Sequence, residues 1–118
     1  MDNKLNLKFK LWLEKDGKVF GEGPYQLLAG VESLGSLRKS AQRMNMSYSL
    51  AHKLIKSLEE RLQYPLIERT VGGQGGGGSQ LTNEAKHLMK QYDTFMNDAE
   101  VTLNKLFQSH FPEEKKDS

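Results

Sequence analysis

Residues 47–62, SYSLAHKLIKSLEERL, separate into two faces when wound at 3.6 residues per turn. Ala51, Leu54, Ile55, Leu58 and Leu62 fall in one apolar stripe, and Ser49, Lys53, Lys56 and Glu60 stand opposite. Ser47 suits the position before the first turn, because its hydroxyl can accept a bond from an early helical N–H. Just upstream, SLRKSAQRM (residues 36–44) carries its own stripe at Leu37, Ala41 and Met44, and only Asn45 and Met46 separate it from the cap. Two short helices joined by a tight turn, the second basic on its outer face, make a helix-turn-helix. Residues 47–62 are then expected to be a recognition helix for DNA.

Upstream, Leu5, Leu7, Phe9, Leu11 and Leu13 occupy every odd position, with mainly polar residues between them. Strict period two predicts a half-buried strand. Asp16-Gly17 supplies two positive-φ positions for a tight turn. A β-hairpin is therefore expected over Leu5–Glu14 and Lys18–Glu22, with Leu13 opposite Phe20. Trp12 falls on its outward face, where it packs on a helix end or meets a partner. Gly23-Pro24 ends the hairpin and places Pro24 first in a helix lined by Leu27, Leu28, Val31 and Leu34. Gly35 suits the left-handed exit of that helix, and Ser36 caps the next. Ala41 is the small residue that lets the two helices of the motif approach closely.

Downstream, PLIERTVGGQGGGGSQLT (residues 65–82) reads as strand, glycine loop, strand. This layout directly after a recognition helix is that of a wing. Thr82 caps a long helix, in which Ala85, Met89, Tyr92, Met96, Ala99, Leu103 and Leu106 recur at alternating steps of four and three. These are consecutive a/d positions of a coiled-coil seam. One small domain can bury the first two turns of such a helix, and the remainder exposes too much apolar area for a monomer.

A chain of 118 residues fits one domain, and a 27% charged fraction is ordinary for a folded one. Net charge is only +2, but residues 37–64 hold six basic side chains against Glu59 and Glu60, a local +4. Basic charge concentrated on one element is a footprint of nucleic-acid binding, although helices carry solvated Lys and Arg in any case. Cysteine is absent, which excludes disulfides, thiolate catalysis and zinc–cysteine sites. Neither a membrane span nor a signal segment is present in the sequence, so a cytoplasmic location is expected.

The glycine run also contains G-x-G-x-x-G at Gly73, Gly75 and Gly78, yet a dinucleotide site needs that pattern inside a parallel βαβ unit, and none follows. GGGGS at 75–79 matches an artificial flexible linker as well. Against that, it falls where a wing tip is expected, and the flanking halves complete one domain. His52, His87 and His110 share no metal-ligand spacing, and the carboxylates form no acid/base pair. Neither catalysis, a metal nor a cofactor is expected. Arg38, Lys39, Gln42 and Arg43, on the first helix of the motif, are expected to meet phosphates rather than bases. Tyr48 either reaches a phosphate or base edge or packs against the turn.

GSLRKSAQRMNMSYSLAHKLIKSLEERLQYPLIERT resembles the LysR-type winged helix-turn-helix. GGQGGGGSQLT, a glycine-rich wing followed by Leu-Thr, is similar to the N-terminal DNA-binding domain of the ModE family of molybdate-responsive regulators, as is the hairpin before the first helix. The resemblance covers residues 5–106. It implies a homodimer joined through the long helix, with each recognition helix in a major groove and each wing along the backbone or minor groove. The DNA-facing residues it implies are Ser47, Tyr48, Ser49, His52, Lys53 and Lys56, with Arg69, Thr70, Gly72, Gly73, Gln74, Gly75 and the loop on to Ser79 in the wing. Two departures matter. The family continues into oxyanion-binding domains where this chain stops at Ser118, which puts an oxyanion such as molybdate in doubt as a partner. Gln74 also stands where family wings tend to be basic.

The expected fold is mainly α with small β: a winged helix-turn-helix with an N-terminal hairpin over residues 1–82, a long dimerisation helix over 83–111, and a charged tail over 112–118. The expected function is that of a homodimeric, sequence-specific transcriptional regulator binding double-stranded DNA. The alternative is a protein-interaction module that recruits a partner through the long helix.

Overall fold

In the computed structural model, which describes residues 4–70 and 78–113, Asp16 and Gly17 both take positive φ, 54° and 115°. They fold β1 (Leu13–Glu14) onto β2 (Lys18–Phe20), with Leu13 opposite Phe20 as the alternation requires. The register shifts between Leu13 and Glu14, a bulge that accommodates the turn. The hairpin is much shorter than its sequence pattern. Residues 4–12 form no strand, because the opposite strand ends at Phe20 and leaves them nothing to pair with. Their alternation survives as burial. Leu7, Phe9 and Leu11 are half-buried, while Lys8, Lys10 and Trp12 are exposed.

Helix α1 (Glu22–Leu34) starts straight after β2, with an extended Gly21 before it. Glu22 is thus helical rather than the end of a strand, and Pro24 is third in the helix rather than first. The early start follows from packing. Phe20 is fully buried, edge-on to Tyr92 at 5.1 Å and to Tyr25 at 6.5 Å, so the chain must turn at once to bring Tyr25 round. Pro24 remains harmless, since N–H groups of the first turn lack helical partners. Gly35, at φ 69°, closes α1 by donating its N–H to the Val31 carbonyl.

The motif itself is α2 (Leu37–Arg43) and α3 (Tyr48–Leu62). Ser36 and Ser47 cap them as expected, accepting from the N–H groups of Lys39 and Leu50, each at 3.1 Å. Asn45, at φ 58°, makes the turn between them. Ala41 and Ala51 are both fully buried between the two helices. Helices α1 and α2 approach closely at Gly30, where a Cβ would lie 2.0 Å from Ser40 Oγ. That hydroxyl donates to the Leu27 carbonyl at 2.6 Å and so is fixed in place.

Strands β3 (Ile67–Arg69) and β4 (Ser79–Leu81) pair antiparallel, with Ile67 opposite Leu81 and Arg69 opposite Ser79. The expected wing is therefore present up to its neck, while residues 71–77 lie outside the described part. Thr82 caps α4 (Asn83–His110) through the Ala85 N–H, and its own hydroxyl donates to the Pro65 carbonyl at 2.8 Å. Ala85, Leu88, Met89 and Tyr92 enter the core and Met96 packs against it; beyond Met96 α4 leaves it. The radius of gyration is 19.0 Å and the longest dimension 68 Å. A compact chain of this length has a radius of roughly 13–14 Å, so the excess belongs to the projecting helix. Among the described residues, no helix is long and apolar enough to cross a membrane.

Gly30→Ala tests the helix crossing. The added methyl favours the helix intrinsically, but it collides with a side chain that cannot turn away. The variant is expected to lose about 1–3 kcal/mol in urea unfolding, and adding Ser40→Gly should restore part of the loss.

Candidate nucleic-acid interface

The N-terminal half of α2, the first turn of α3 and the neck of the wing enclose a groove of about 520 Å³. Ser36, Arg38, Lys39, Tyr48, Arg69 and Ser79 are among its lining residues. Four of the residues singled out from sequence, Arg38, Lys39, Tyr48 and Arg69, thus converge in one concavity from three elements. The wing is fastened to this place by main-chain bonds. Ser79 N–H donates to the Gly35 carbonyl at 2.9 Å, which ties β4 to the α1–α2 corner.

Tyr48 packs rather than projecting freely. The Arg38 guanidinium lies 4.3 Å from its ring centroid, and the His52 ring lies 5.9 Å away on the same helix. The stack holds the Arg38 cation beside the groove, an arrangement worth about 0.5–1 kcal/mol at an exposed site.

A second set, Ser49, His52, Lys53 and Lys56, forms the exposed outer face of α3, and Ser47 lies exposed at its start. Gln42 is exposed on α2 but does not line the groove. The basic side chains differ in what they are bound to. Lys56 pairs with Glu59 at 3.5 Å. Arg43 donates to Ser33 Oγ at 3.4 Å, and Arg61 donates to the Lys18 carbonyl at 2.7 Å, joining the far end of α3 to the hairpin. Lys39 and Lys53 have no side-chain partner among the described residues. Much of the local positive charge therefore serves the fold, and Lys39, Lys53 and, on β3, Arg69 are cations without a side-chain partner among the described residues.

Thr70 is also committed internally. Its hydroxyl accepts from the Gly78 N–H at 2.8 Å and its N–H donates to the Gly78 carbonyl at 3.1 Å, closing the neck of the wing. Gly72, Gly73, Gln74 and Gly75 lie outside the described residues. His52, His87 and His110 are exposed. No group of three His, Cys, Asp or Glu side chains among the described residues could hold a metal ion.

Glu59 escaped the sequence reading. Its carboxylate accepts from the Leu66 N–H at 2.6 Å and the Ile67 N–H at 3.4 Å, so it fixes the start of the wing to α3. Its i,i+3 spacing to Lys56 was legible, whereas these two acceptor roles arise only after the chain turns at Tyr64-Pro65. Leu50 was missed too. It lies 55% exposed in the first turn of α3, beside Ser49 and Lys53.

Residues 25–86 match the family of bacterial regulatory helix-turn-helix proteins described as the lysR family. The transcriptional regulator ModE of Haemophilus influenzae is 34% identical over 68 residues, covering 58% of this chain and 27% of its own length. The DNA-binding transcriptional dual regulator ModE of Escherichia coli is 34% identical over 84 residues, covering 70% of this chain and 32% of its own length. The chain thus spans about a third or less of the curated relatives it matches. A crystal structure of a CbnR DBD–DNA complex superposes with a TM-score of 0.56 at 17% identity, covering 75% of this chain and 95% of that one. ArgP from Mycobacterium tuberculosis superposes with a TM-score of 0.52 at 24% identity, covering 71% and 30%. At these identities the two structures speak for the fold.

Removing the Glu59 anchor by Glu59→Ala leaves the N–H of fully buried Leu66 without its acceptor. The expected loss in urea unfolding is about 1–3 kcal/mol, and Glu59→Gln, which keeps a carbonyl acceptor, should lose less.

Proposed function

The chain belongs to the lysR family of bacterial regulatory helix-turn-helix proteins, and we propose that it is a sequence-specific DNA-binding transcriptional regulator acting as a homodimer. The observation that carries this reading is the convergence of Arg38, Lys39 and Arg69 on the groove beside α3, next to the unengaged Lys53 on its outer face. With α3 in the major groove, Lys53 and Lys56 meet the duplex from the helix. Arg38, Lys39 and Arg69 then follow the phosphates flanking it, with Gln42 near the backbone. The glycines of the wing allow close backbone approach to a groove wall. Residues 1–82 are the DNA-binding part in this reading, 83–111 the dimerisation helix and 112–118 a charged tail.

The seam of the dimer is narrower than the full a/d repeat. Ala85, Met89 and Tyr92 are buried in the chain's own core and are unavailable to a second copy. Met96, Ala99 and Leu103 are half-buried and Leu106 is exposed, and Phe95 widens the stripe. The proposed seam therefore begins at Phe95. Neither a catalytic step nor an oxyanion is part of this reading, and the protein is proposed to work in the cytoplasm.

Two measurements test it. Light scattering is expected to give a dimer, and Phe95→Glu with Leu106→Glu a folded monomer; both side chains are more than half exposed, 51% and 53%, so the substitutions spare the core. A wild-type chain that stays monomeric would favour recruitment of a different partner through α4. In anisotropy titrations against DNA selected from a random pool, Lys53→Ala and Arg38→Ala should each weaken binding. Each should also reduce the slope of log K against log salt by roughly one unit per phosphate contact removed.

A further inference from the structure

We propose that Leu50 reads the 5-methyl group of a thymine in the major groove, an inference that rests on the DNA-binding reading above. Exposed large apolar side chains fall into distinct places among the described residues. Leu5, Phe95, Val101, Leu106 and Phe111 lie on the N-terminal arm, on distal α4 and at its exit. Trp12 lies beneath the Lys18 ammonium, 5.5 Å from the ring centroid. Leu34 borders the groove. Leu50 alone among them belongs to α3, and it sits in the first turn, between Ser49 and His52 and one turn before Lys53.

That position has a defined chemistry. The N-terminal residues of a recognition helix are the ones that reach base edges. Side chains three apart on a helix are neighbours on one face, so Leu50 and Lys53 approach the duplex together. Leu50 has neither donor nor acceptor and cannot discriminate by hydrogen bonding. Among the four base pairs, the apolar feature displayed in the major groove is the thymine methyl. The first turn of α3 is also free of competing demands. Ser47 caps it, Tyr48 is held by Arg38 and His52, and Ala51 fills the core, so nothing among the described residues requires a leucine at position 50.

The inference sharpens the division of labour on the helix. Lys53 supplies charge, which attracts any duplex, whereas Leu50 supplies a preference that charge cannot. The contact removes one methyl group and part of a leucine from water, and it leaves no polar group unpaired. A neighbouring cytosine or adenine would present a polar edge to Leu50 and gain nothing from it.

The test uses the full chain. A bound duplex is first selected from a random pool, and each thymine of the selected site is then replaced singly by deoxyuridine, which removes only the methyl. One thymine per half-site is expected to matter, with a loss of about fourfold, the ~0.8 kcal/mol of one buried methyl group taken at 1.4 kcal/mol per factor of ten. Leu50→Ala, which changes both protomers, should bind the unmodified site about as weakly as wild type binds a site with deoxyuridine in both half-sites, and should be indifferent to the replacement. Lys53→Ala should bind more weakly but keep the fourfold discrimination. Circular dichroism of Leu50→Ala should match wild type, because the side chain is outside the core. Sequence-selective binding with no methyl-sensitive thymine, or with the same sensitivity in Leu50→Ala, overturns the assignment of Leu50 and leaves the regulator reading intact. Failure of the wild-type chain to enrich any sequence overturns both.

Discussion

The approach of α1 to α2 at Gly30 and Ser40 is the constraint on which the basic face depends. A hydrogen atom at position 30 is all the space permits, since any Cβ would meet the Ser40 side chain. Ser40 in turn is pinned by its bond to the Leu27 carbonyl. The crossing fixes α2 against α1, and buried Ala41 and Ala51 pass that placement to α3. Five residues after Gly30, the carbonyl of the left-handed Gly35 accepts from the Ser79 N–H. The same corner thus positions both the recognition helix and the wing. Small side chains do this because they leave rigid backbones, rather than flexible side chains, in contact.

Local chemistry was legible in the sequence and longer-range partnering was not. The caps at Ser36, Ser47 and Thr82 and the positive-φ pair Asp16-Gly17 act within a few residues, so their identities suffice. The helix-turn-helix and the wing strands follow from apolar spacing and turn residues in the same way. Glu59 shows the limit. Its carboxylate faces N–H groups seven and eight residues downstream, across the turn that follows α3, and nothing in its immediate spacing marks it. Arg61 is a second case, because its partner carbonyl at Lys18 lies 43 positions away. In the candidate interface, residue types gave the cations, while the fold decided which remain unengaged. Among the described residues Lys39, Lys53 and Arg69 do; Lys56, Arg43 and Arg61 are drawn into contacts with Glu59, Ser33 and Lys18.

The repeat along α4 reads as one seam, and the chain's own core covers its first half. A heptad pattern reports only that one side of a helix is apolar, not what covers it. The first half is covered by the chain itself, through the Phe20, Tyr25 and Tyr92 cluster, whose rings meet at 5.1 to 6.5 Å. Burial, followed by the nearby carboxylate of Glu22, raises the Tyr92 pKa, and its hydroxyl stays protonated to donate to the Leu11 carbonyl at 3.2 Å. Among the described residues, the second half meets no such cluster.

That bond from Tyr92 also explains the stretch that looked like a strand and is not one. Leu11 is held beside Tyr92, and at the other end Lys4 forms an ion pair with Glu113, just past the end of α4. Seven residues reach at most ~25 Å when fully extended. The helix rises about 27 Å between Tyr92 and His110 at 1.5 Å per residue. The arm can span those two points only if it is nearly straight and the long Lys and Glu side chains close the difference. Extended backbone with alternating burial is therefore enforced by a helix alongside rather than by a strand in a sheet. Leu7 and Phe9 become half-buried on one side, while Lys8 and Lys10 face solvent. The alternation in the sequence was thus a true statement about conformation and sidedness, and an incomplete one about the partner. Because the arm occupies one flank of α4, it also limits the directions from which anything else can reach that helix, which leaves the flank bearing Phe95 and Leu106 open.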